Sequence, residues 1–421
     1  MRFQTILNKV FKIYIRSFVF TKNYFEMDST GQLSIIVEIE PRKNGLAKCS
    51  VCGTNCPCYD RQRNPRRFEI PPVFNVKGFF SYRMRRVECP HCGVKVERVP
   101  WAEGKSHFTK SYQLFIARWA KRLSWLETAC IFKTSWDSVY RCVKYVVNYG
   151  LEHRSIGKIE AIGVDEVQYE KGQGYMTIVY EIGENCKRLL YVSKDRTVES
   201  FLGFFEEIGT ECSRNIEFVC SDMWKPFLKA IKQKIPQALH ILDRFHIVAN
   251  LNKALDQVRR QEVAELTSQG YENPLKHSRY CLLKNPENLT FNQERKLIRI
   301  LKYKLKTTRA YTLKDSFQFF WTYTSPYWAR WFLRKWYARA MRSRLPPIKK
   351  FAKSMRKHED LIMNWFKAKK AYSSGVVEGL NLKVNLVMRT SYGFKDFETL
   401  KIALFHAMGD LPEPGPTHGF C

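Results

Sequence analysis

The sequence is short of acid. Against 71 Lys plus Arg it carries 40 Asp plus Glu, a net charge of +31 over 421 residues. That imbalance runs along the whole chain and points to a polyanionic partner, nucleic acid ahead of a membrane surface. The sequence also lacks any run near the roughly 18 apolar residues of a spanning helix. Lys9, Lys12 and Arg16 break up the only N-terminal stretch resembling a leader. There is no internal repeat and no low-complexity tract. Hydrophobic residues at 45% and aromatics at 14% exclude global disorder and allow two or three packed domains. The 13 cysteines include two C-x-x-C pairs, which favours metal binding in a reducing compartment over disulfides. A soluble, cytoplasmic protein without membrane contact is expected.

The pairs are "CSVCG" (Cys49, Cys52) and "CPHCG" (Cys89, Cys92). Each sets two thiolates on one tight turn, and two such turns supply the four sulfurs of a structural zinc site. The separation of the pairs exceeds the usual spacing, and Cys56 and Cys58 lie near enough to compete. A redox dithiol is the other chemistry open to such pairs. "RQRNPRRF" and "YRMRR" between them suit either phosphate contact or a solvated hairpin.

Ser124 can cap a helix "WLETACIF", and Thr134 or Ser135 the next, "WDSVYRCVKYVVNYG". In the second, Val139, Cys142, Val143, Val146 and Val147 share one face, while Ser138, Arg141 and Lys144 lie opposite. A helix-turn-helix or a plain packed helical pair fits. Cys130 and Cys142 read as core.

"IEAIGVDEV" is an apolar strand ending in acid at Asp165, and "IEFVCSDMW" another ending at Asp222. Strands "YMTIVYEI" and "RLLYVSK", helix "TVESFLGFFEEIG", helix "KPFLKAIKQKI" and strand "ALHILD" complete a β-β-β-α-β-α-β order. That is a ribonuclease H-like arrangement, which brings the first and fourth strand ends together. Two neighbouring carboxylates repel unless a cation intervenes, and hard oxygen ligands suit Mg²⁺ or Mn²⁺. Two such ions would serve phosphodiester chemistry. Glu378, in "SSGVVEGLN", opens a late helix and can reach back to the aspartates; alone it would read as a helix-start glutamate.

These residues closely resemble a DDE transposase of the ISL-three insertion-sequence family. The resemblance rests on both knuckles, the helix pair, "GVDE", "SDMWKPF", "DRFHIVANLNKALDQVRR", "RYCLLKNPENLT" and "VEGLNLKVNLVMRTSYGF". It implies a multidomain α/β protein with a ribonuclease H-like mixed sheet interrupted by a long all-helical insert, preceded by a zinc ribbon and a helix-turn-helix. The expected divisions are 1–48 (a short helix, then a strand Leu33–Glu40), 49–100 (zinc ribbon), 105–150 (helix-turn-helix), 157–246 (first part of the core), 247–372 (helical insert), 373–410 (closing helices) and 411–421 (tail). The resemblance implies Asp165, Asp222 and Glu378 as a metal-binding triad for two Mg²⁺ or Mn²⁺ ions, and a structural Zn²⁺ on Cys49, Cys52, Cys89 and Cys92. Asp243 and His246 match an Asp-x-x-His motif beside such sites; orienting a ligand, touching DNA and forming a core pair all remain open for them. Arg141, Lys144 and Arg389 are candidate DNA contacts. The implied activity is metal-dependent cleavage and strand transfer at the inverted-repeat ends of the protein's own element. The implied partners are double-stranded DNA at the element ends and target, and a second copy of the chain, in the bacterial cytoplasm at the nucleoid. A catalytically silent DNA-binding regulator is the alternative. "YEKGQGY" and Met388 depart from the family's usual pattern. The stretch "WARWFLRKWYARAMRSRLPPIKKFAKSMRKH" mixes Trp with Arg and Lys, suiting phosphate and base contacts, although tryptophans at helical spacing are more often core.

Overall fold

The computed structural model describes residues 17–415 except 30, 74, 171, 173, 185, 369–374 and 392. The chain divides into two compact units. One runs from the start of the described residues to Ser155 and resumes at Val387; the other is Ile156–Leu386.

In the first unit the strands are β1 (Phe18–Met27), β2 (Leu33–Pro41), β3 (Ala47–Lys48), β4 (Asn55–Cys56), β5 (Cys58–Arg61), β6 (Arg66–Val73), β7 (Val76–Tyr82), β8 (Arg85–Cys89) and β9 (Gly93–Val96). A four-stranded sheet runs β1-β2-β7-β6. The sequence leads to a helix before Leu33; among the described residues that stretch holds β1 instead, and residues 1–16 lie outside them. The strand wins because Phe18 and Phe20 bury on the sheet face. There Phe18, Phe68, Phe80 and Tyr82 surround Trp101 edge-to-face at 4.9–6.3 Å, each ring contributing about 1.5–3 kcal/mol by leaving water.

The helices of this unit are α1 (Lys110–Ala120), α2 (Trp125–Ile131), α3 (Trp136–His153) and a last helix, Phe397–Met408. Ser124 and Glu127 form a capping box on α2, and Ser135 caps α3. The five residues assigned to one face of α3 are all buried. Cys142 is core as expected, but Cys130 is exposed. Two turns of α2 bury only Thr128 and Ala129, which leaves Cys130 past the contact.

The second unit is built on β10 (Ala161–Gln168), β11 (Tyr175–Ile182), β12 (Lys187–Lys194), α4 (Val198–Arg214), β13 (Phe218–Ser221), α5 (Lys225–Lys234) and β14 (Leu239–Leu242). The sheet order is β12-β11-β10-β13-β14. The first three strands are an antiparallel meander, and β13 and β14 add in parallel beside β10. Phe201, Phe204 and Phe205 of α4 and Phe227 of α5 pack with Ile162, Val164 and Val219 of the sheet. Seven helices follow: α6 (Arg244–Ser268), α7 (Arg279–Leu283), α8 (Phe291–Leu301), α9 (Lys306–Gln318), α10 (Pro326–Arg342), α11 (Pro346–Lys357) and α12 (Glu359–Lys367). They hold a separate aromatic core, with Trp336 buried and its indole donating to the Leu313 carbonyl at 2.9 Å. After them comes α13 (Gly375–Thr390). No helix among the described residues is long and apolar enough to cross a membrane.

Candidate functional site

Strand register explains where the acids fall. In the parallel pair β10/β13, Gly163 stands opposite Cys220; in β13/β14, Ser221 stands opposite Leu242. Counting on along each strand sets Asp165 level with Asp222, and Asp222 level with Asp243. Three carboxylates thus line up across three adjacent strands, which run roughly 4.8 Å apart. Asp222 and Asp243 each stand one residue past the C-terminal ends of β13 and β14, whereas Asp165 lies inside β10, which stays paired with β11 to Gln168 instead of ending at the acid as the sequence suggests. Such an edge is where ligands of open α/β sheets bind.

Each carboxylate is held by the backbone that follows it. Asp165 accepts from the Glu166 amide at 2.8 Å, Asp222 from the Trp224 amide at 2.9 Å, and Asp243 from the Phe245 amide at 2.6 Å. Asp243 therefore caps α6, a structural task that does not use its second oxygen. His246, one turn into α6, sits between two of the acids. Its Nδ1 is 3.8 Å from Asp222 Oδ2 and its Nε2 is 3.9 Å from Asp243 Oδ2. The Asp222 carboxylate, against the opposing pull of burial, pushes His246 up to about 9, which favours the protonated ring while the carboxylates carry no metal.

Burial pushes the Asp165 carboxyl above the usual range, with Asp222 adding to the rise. Glu166 is moved further, up to about 7, first by burial and then by Asp222. Its Oε2 is 3.6 Å from Arg196, while its Oε1 is buried with no hydrogen-bond partner among the described residues.

The first turn of α13 lies on β10. A Cβ added to Gly163 would come within 2.4 Å of Val377 Cγ2, so only glycine admits this approach. One turn on, Asn381 donates to Asp165 Oδ2 at 2.6 Å and accepts from the Tyr180 hydroxyl at 2.8 Å. Glu378 shares that first turn, but its side chain is exposed. Among the described residues, only the four cysteines bring three or more ligand atoms within 4.8 Å of one another. The structure thus brings Asp165, Asp222, Asp243 and His246 to one edge, and brings Glu378 to the neighbouring helix without converging its carboxylate on theirs. Glu166, Asn381 and Tyr180 escaped the sequence reading. Glu166 adjoins Asp165 and could have been suspected; Tyr180 and Asn381 are 201 positions apart and gave no signal.

In the first unit, the β3/β4 and β8/β9 turns bring Cys49, Cys52, Cys89 and Cys92 together. The Cys52 and Cys89 sulfurs are 3.4 Å apart. The Thr54 hydroxyl and backbone draw the Cys52 thiol down to about 6. Cys56 is not in the cluster and donates to the Thr54 carbonyl at 3.3 Å; Cys58 donates to the Asp60 carbonyl at 3.4 Å. Arg141 and Lys144 are exposed on α3, and Arg389 is exposed in the last turn of α13.

Comparison with known proteins matches residues 162–404 to a family described as "Transposase", DDE_Tnp_ISL3. The matched span includes Asp165, Asp222 and Glu378 and leaves out Cys49, Cys52, Cys89 and Cys92. The chain is similar to the transposase for insertion sequence element IS1557 of Mycobacterium tuberculosis, 26% identical over 420 residues, 92% of each chain. It is also similar to the transposase for insertion sequence element IS1001 of Bordetella parapertussis, 26% identical over 354 residues, covering 83% of this chain and 86% of that one.

Proposed function

The chain belongs to the ISL3-type family of DDE transposases, and from that premise we propose that Asp165, Asp222 and Glu378 form the metal-binding triad at which a DNA strand is cut and joined. The observation that carries this reading is the level row of carboxylates formed by Asp165 within β10 and by Asp222 and Asp243 just past β13 and β14. The sheet order supports a ribonuclease H-like core, interrupted between β14 and α13 by the helical segment.

The residues at this edge fit a hard divalent cation. The donors are oxygens, Asp165 is held above its usual range by burial and by Asp222, and a buried Glu166 oxygen has no partner among the described residues. Mg²⁺ or Mn²⁺, as one or two ions, supplies an activated hydroxyl and stabilises the leaving oxygen when bound. The chain's own part is orientation. Backbone amides and Asn381 fix the carboxylates, and the His246 ring sits between Asp222 and Asp243, where it can also meet a phosphate. Glu378 enters from α13, its distance to the aspartates set by the seating of Val377 on Gly163.

The four cysteines hold a structural zinc in this reading, with no ligand position left for chemistry. The pair α2/α3 acts as a helix-turn-helix, with Arg141 and Lys144 toward the element ends, Arg389 a further contact, and at least two copies engaging the DNA. The test is cleavage and strand joining on DNA carrying the gene's own flanks with Mg²⁺ or Mn²⁺, using the unaltered chain and Asp222→Asn. Metal-dependent nicking at the ends, lost in the variant while DNA binding persists, is the expected result. Binding to the flanks with no cutting by either protein in any metal would replace this reading with that of a silent regulator.

A further inference from the structure

Helix α10 has two unlike faces. Ala329, Leu333, Trp336, Tyr337 and Ala340 are buried. On the other side Tyr327, Trp328 and Trp331 are 71%, 54% and 47% exposed. An exposed tryptophan gives up about 1.5–3 kcal/mol that burial would return, and this helix leaves two of them one turn apart.

The three rings form a continuous group. Tyr327 and Trp328 are 5.3 Å apart edge-to-face, Trp328 and Trp331 are 6.1 Å apart, and the Lys335 ammonium lies 5.5 Å from the Trp331 ring. Arg334, Lys335, Arg339 and Arg342 are exposed farther along the helix. The helix contains no acid. Its Arg330 is paired with Glu359 and Asp360, whereas those four cations make no ion pair among the described residues.

We propose that the exposed face of α10 binds an unpaired DNA strand, with bases stacked on Trp328 and Trp331 and phosphates on Arg334, Lys335, Arg339 and Arg342. The inference rests on the reading that DNA is the substrate. Its further content is the form of the DNA. In a duplex the flat faces of the bases are already covered by their neighbours, so exposed indoles gain little from it. An unpaired strand offers both a free base face and a phosphate at each step, matching rings followed by cations. A protein partner fits less well, because interface cores are depleted of charge and this face sets four uncompensated cations beside its aromatic group.

The experiment uses the full chain without added divalent metal, so that binding is read apart from cutting. Fluorescence anisotropy compares labelled oligo(dT) of about 20 nucleotides, longer than common single-strand site sizes, with a duplex of equal length. In Trp328→Ala/Trp331→Ala the affinity for oligo(dT) should fall about 30-fold or more, at roughly a factor of five or more per lost ring. Duplex affinity should stay within about threefold, since the phosphate contacts remain. Trp328→Phe/Trp331→Phe keeps a ring at each position and should retain most of the single-strand affinity. Both pairs are exposed, and a thermal melt checks that the fold is intact.

Unchanged oligo(dT) affinity in the alanine variant, or equal losses on both DNAs, overturns the inference. So does a change of oligomeric state by light scattering, which would assign the face to a second copy of the chain. Retained duplex binding in those cases leaves the proposed function standing; failure of the unaltered chain to bind either DNA removes both.

Discussion

Asn381 Nδ2 lies 2.6 Å from Asp165 Oδ2, joining α13 to β10. The Tyr180 hydroxyl, buried on β11, orients that amide by donating to its oxygen at 2.8 Å. The Glu166 amide holds the other Asp165 oxygen at 2.8 Å. The carboxylate is therefore fixed in rotation before any ligand arrives. It also ties the helix bearing Glu378 to the strand bearing Asp165.

Asn381→Ala should accordingly weaken metal binding at this edge. Loss of a hydrogen-bond partner behind a ligating carboxylate costs about 10–100-fold in affinity. Titration of Mn²⁺ followed by electron paramagnetic resonance reads this without catalysis. Tyr180→Phe, which leaves the amide in place but free to turn, should show a smaller loss in the same direction. Manganese affinity unchanged by Asn381→Ala would remove the positioning role.

Gly163→Ala tests the seating of α13. The new methyl would collide with Val377, so either the helix lifts or the strand shifts, at about 1–3 kcal/mol for overpacking. Because Glu378 follows Val377, strand cleavage should fall by more than the melting temperature suggests. Val377→Ala on the same background makes room for the methyl and should restore part of the activity. A double variant no better than Gly163→Ala would show that the collision is not the cause.

The sheet was legible because its strands are continuous apolar runs, a pattern set by burial of β10 and β13 between neighbours, although β10 runs on past Asp165 to Gln168. The helical face of α3 was legible for a similar reason, periodicity matched to one packed side. What stayed hidden is tertiary. Nothing in "KNYFEM" marks Phe18–Met27 as a strand rather than a helix end, because the deciding contact is Trp101, far along the chain. Asp243 read as an acid near the site, and its helix cap appeared only with α6 in place. Asn381 was part of the motif around Glu378, but its role depends on Asp165, 216 positions away.

If Cys49, Cys52, Cys89 and Cys92 hold the proposed zinc, removing it should unfold the cysteine hairpins and spare the second unit. Cys52→Ser takes away the thiol that Thr54 holds lowest and should leave the purified chain without its zinc, read by elemental analysis. Cys58→Ser, which alters an exposed thiol outside the cluster, should keep the metal. Full zinc content in Cys52→Ser would mean that another residue, Cys56 being nearest at hand, completes the ligand set.

His406 supplies a pH dependence in the first unit, whereas Asp165 and Asp222 belong to the second. It is buried in the last helix, and burial first, with the Lys121 charge adding to it, pushes its pKa from 6.5 down to about 4. The unfolded chain therefore takes up a proton that the folded chain resists. Stability from the neutral ring is complete above pH 6.5 and is lost as pH falls toward 4. At about 1.4 kcal/mol per pK unit, the loss across that window is up to about 3 kcal/mol. Its Nε2 has no partner among the described residues, but the ring also bonds the Ala117 backbone, and His406→Leu gives up that bond. Whatever its level near pH 7.5, the variant should gain stability relative to the unaltered chain as pH falls below 6, in urea melts of the unit that contains the last helix. Parallel stability curves for the two chains across that range would place the acid sensitivity elsewhere.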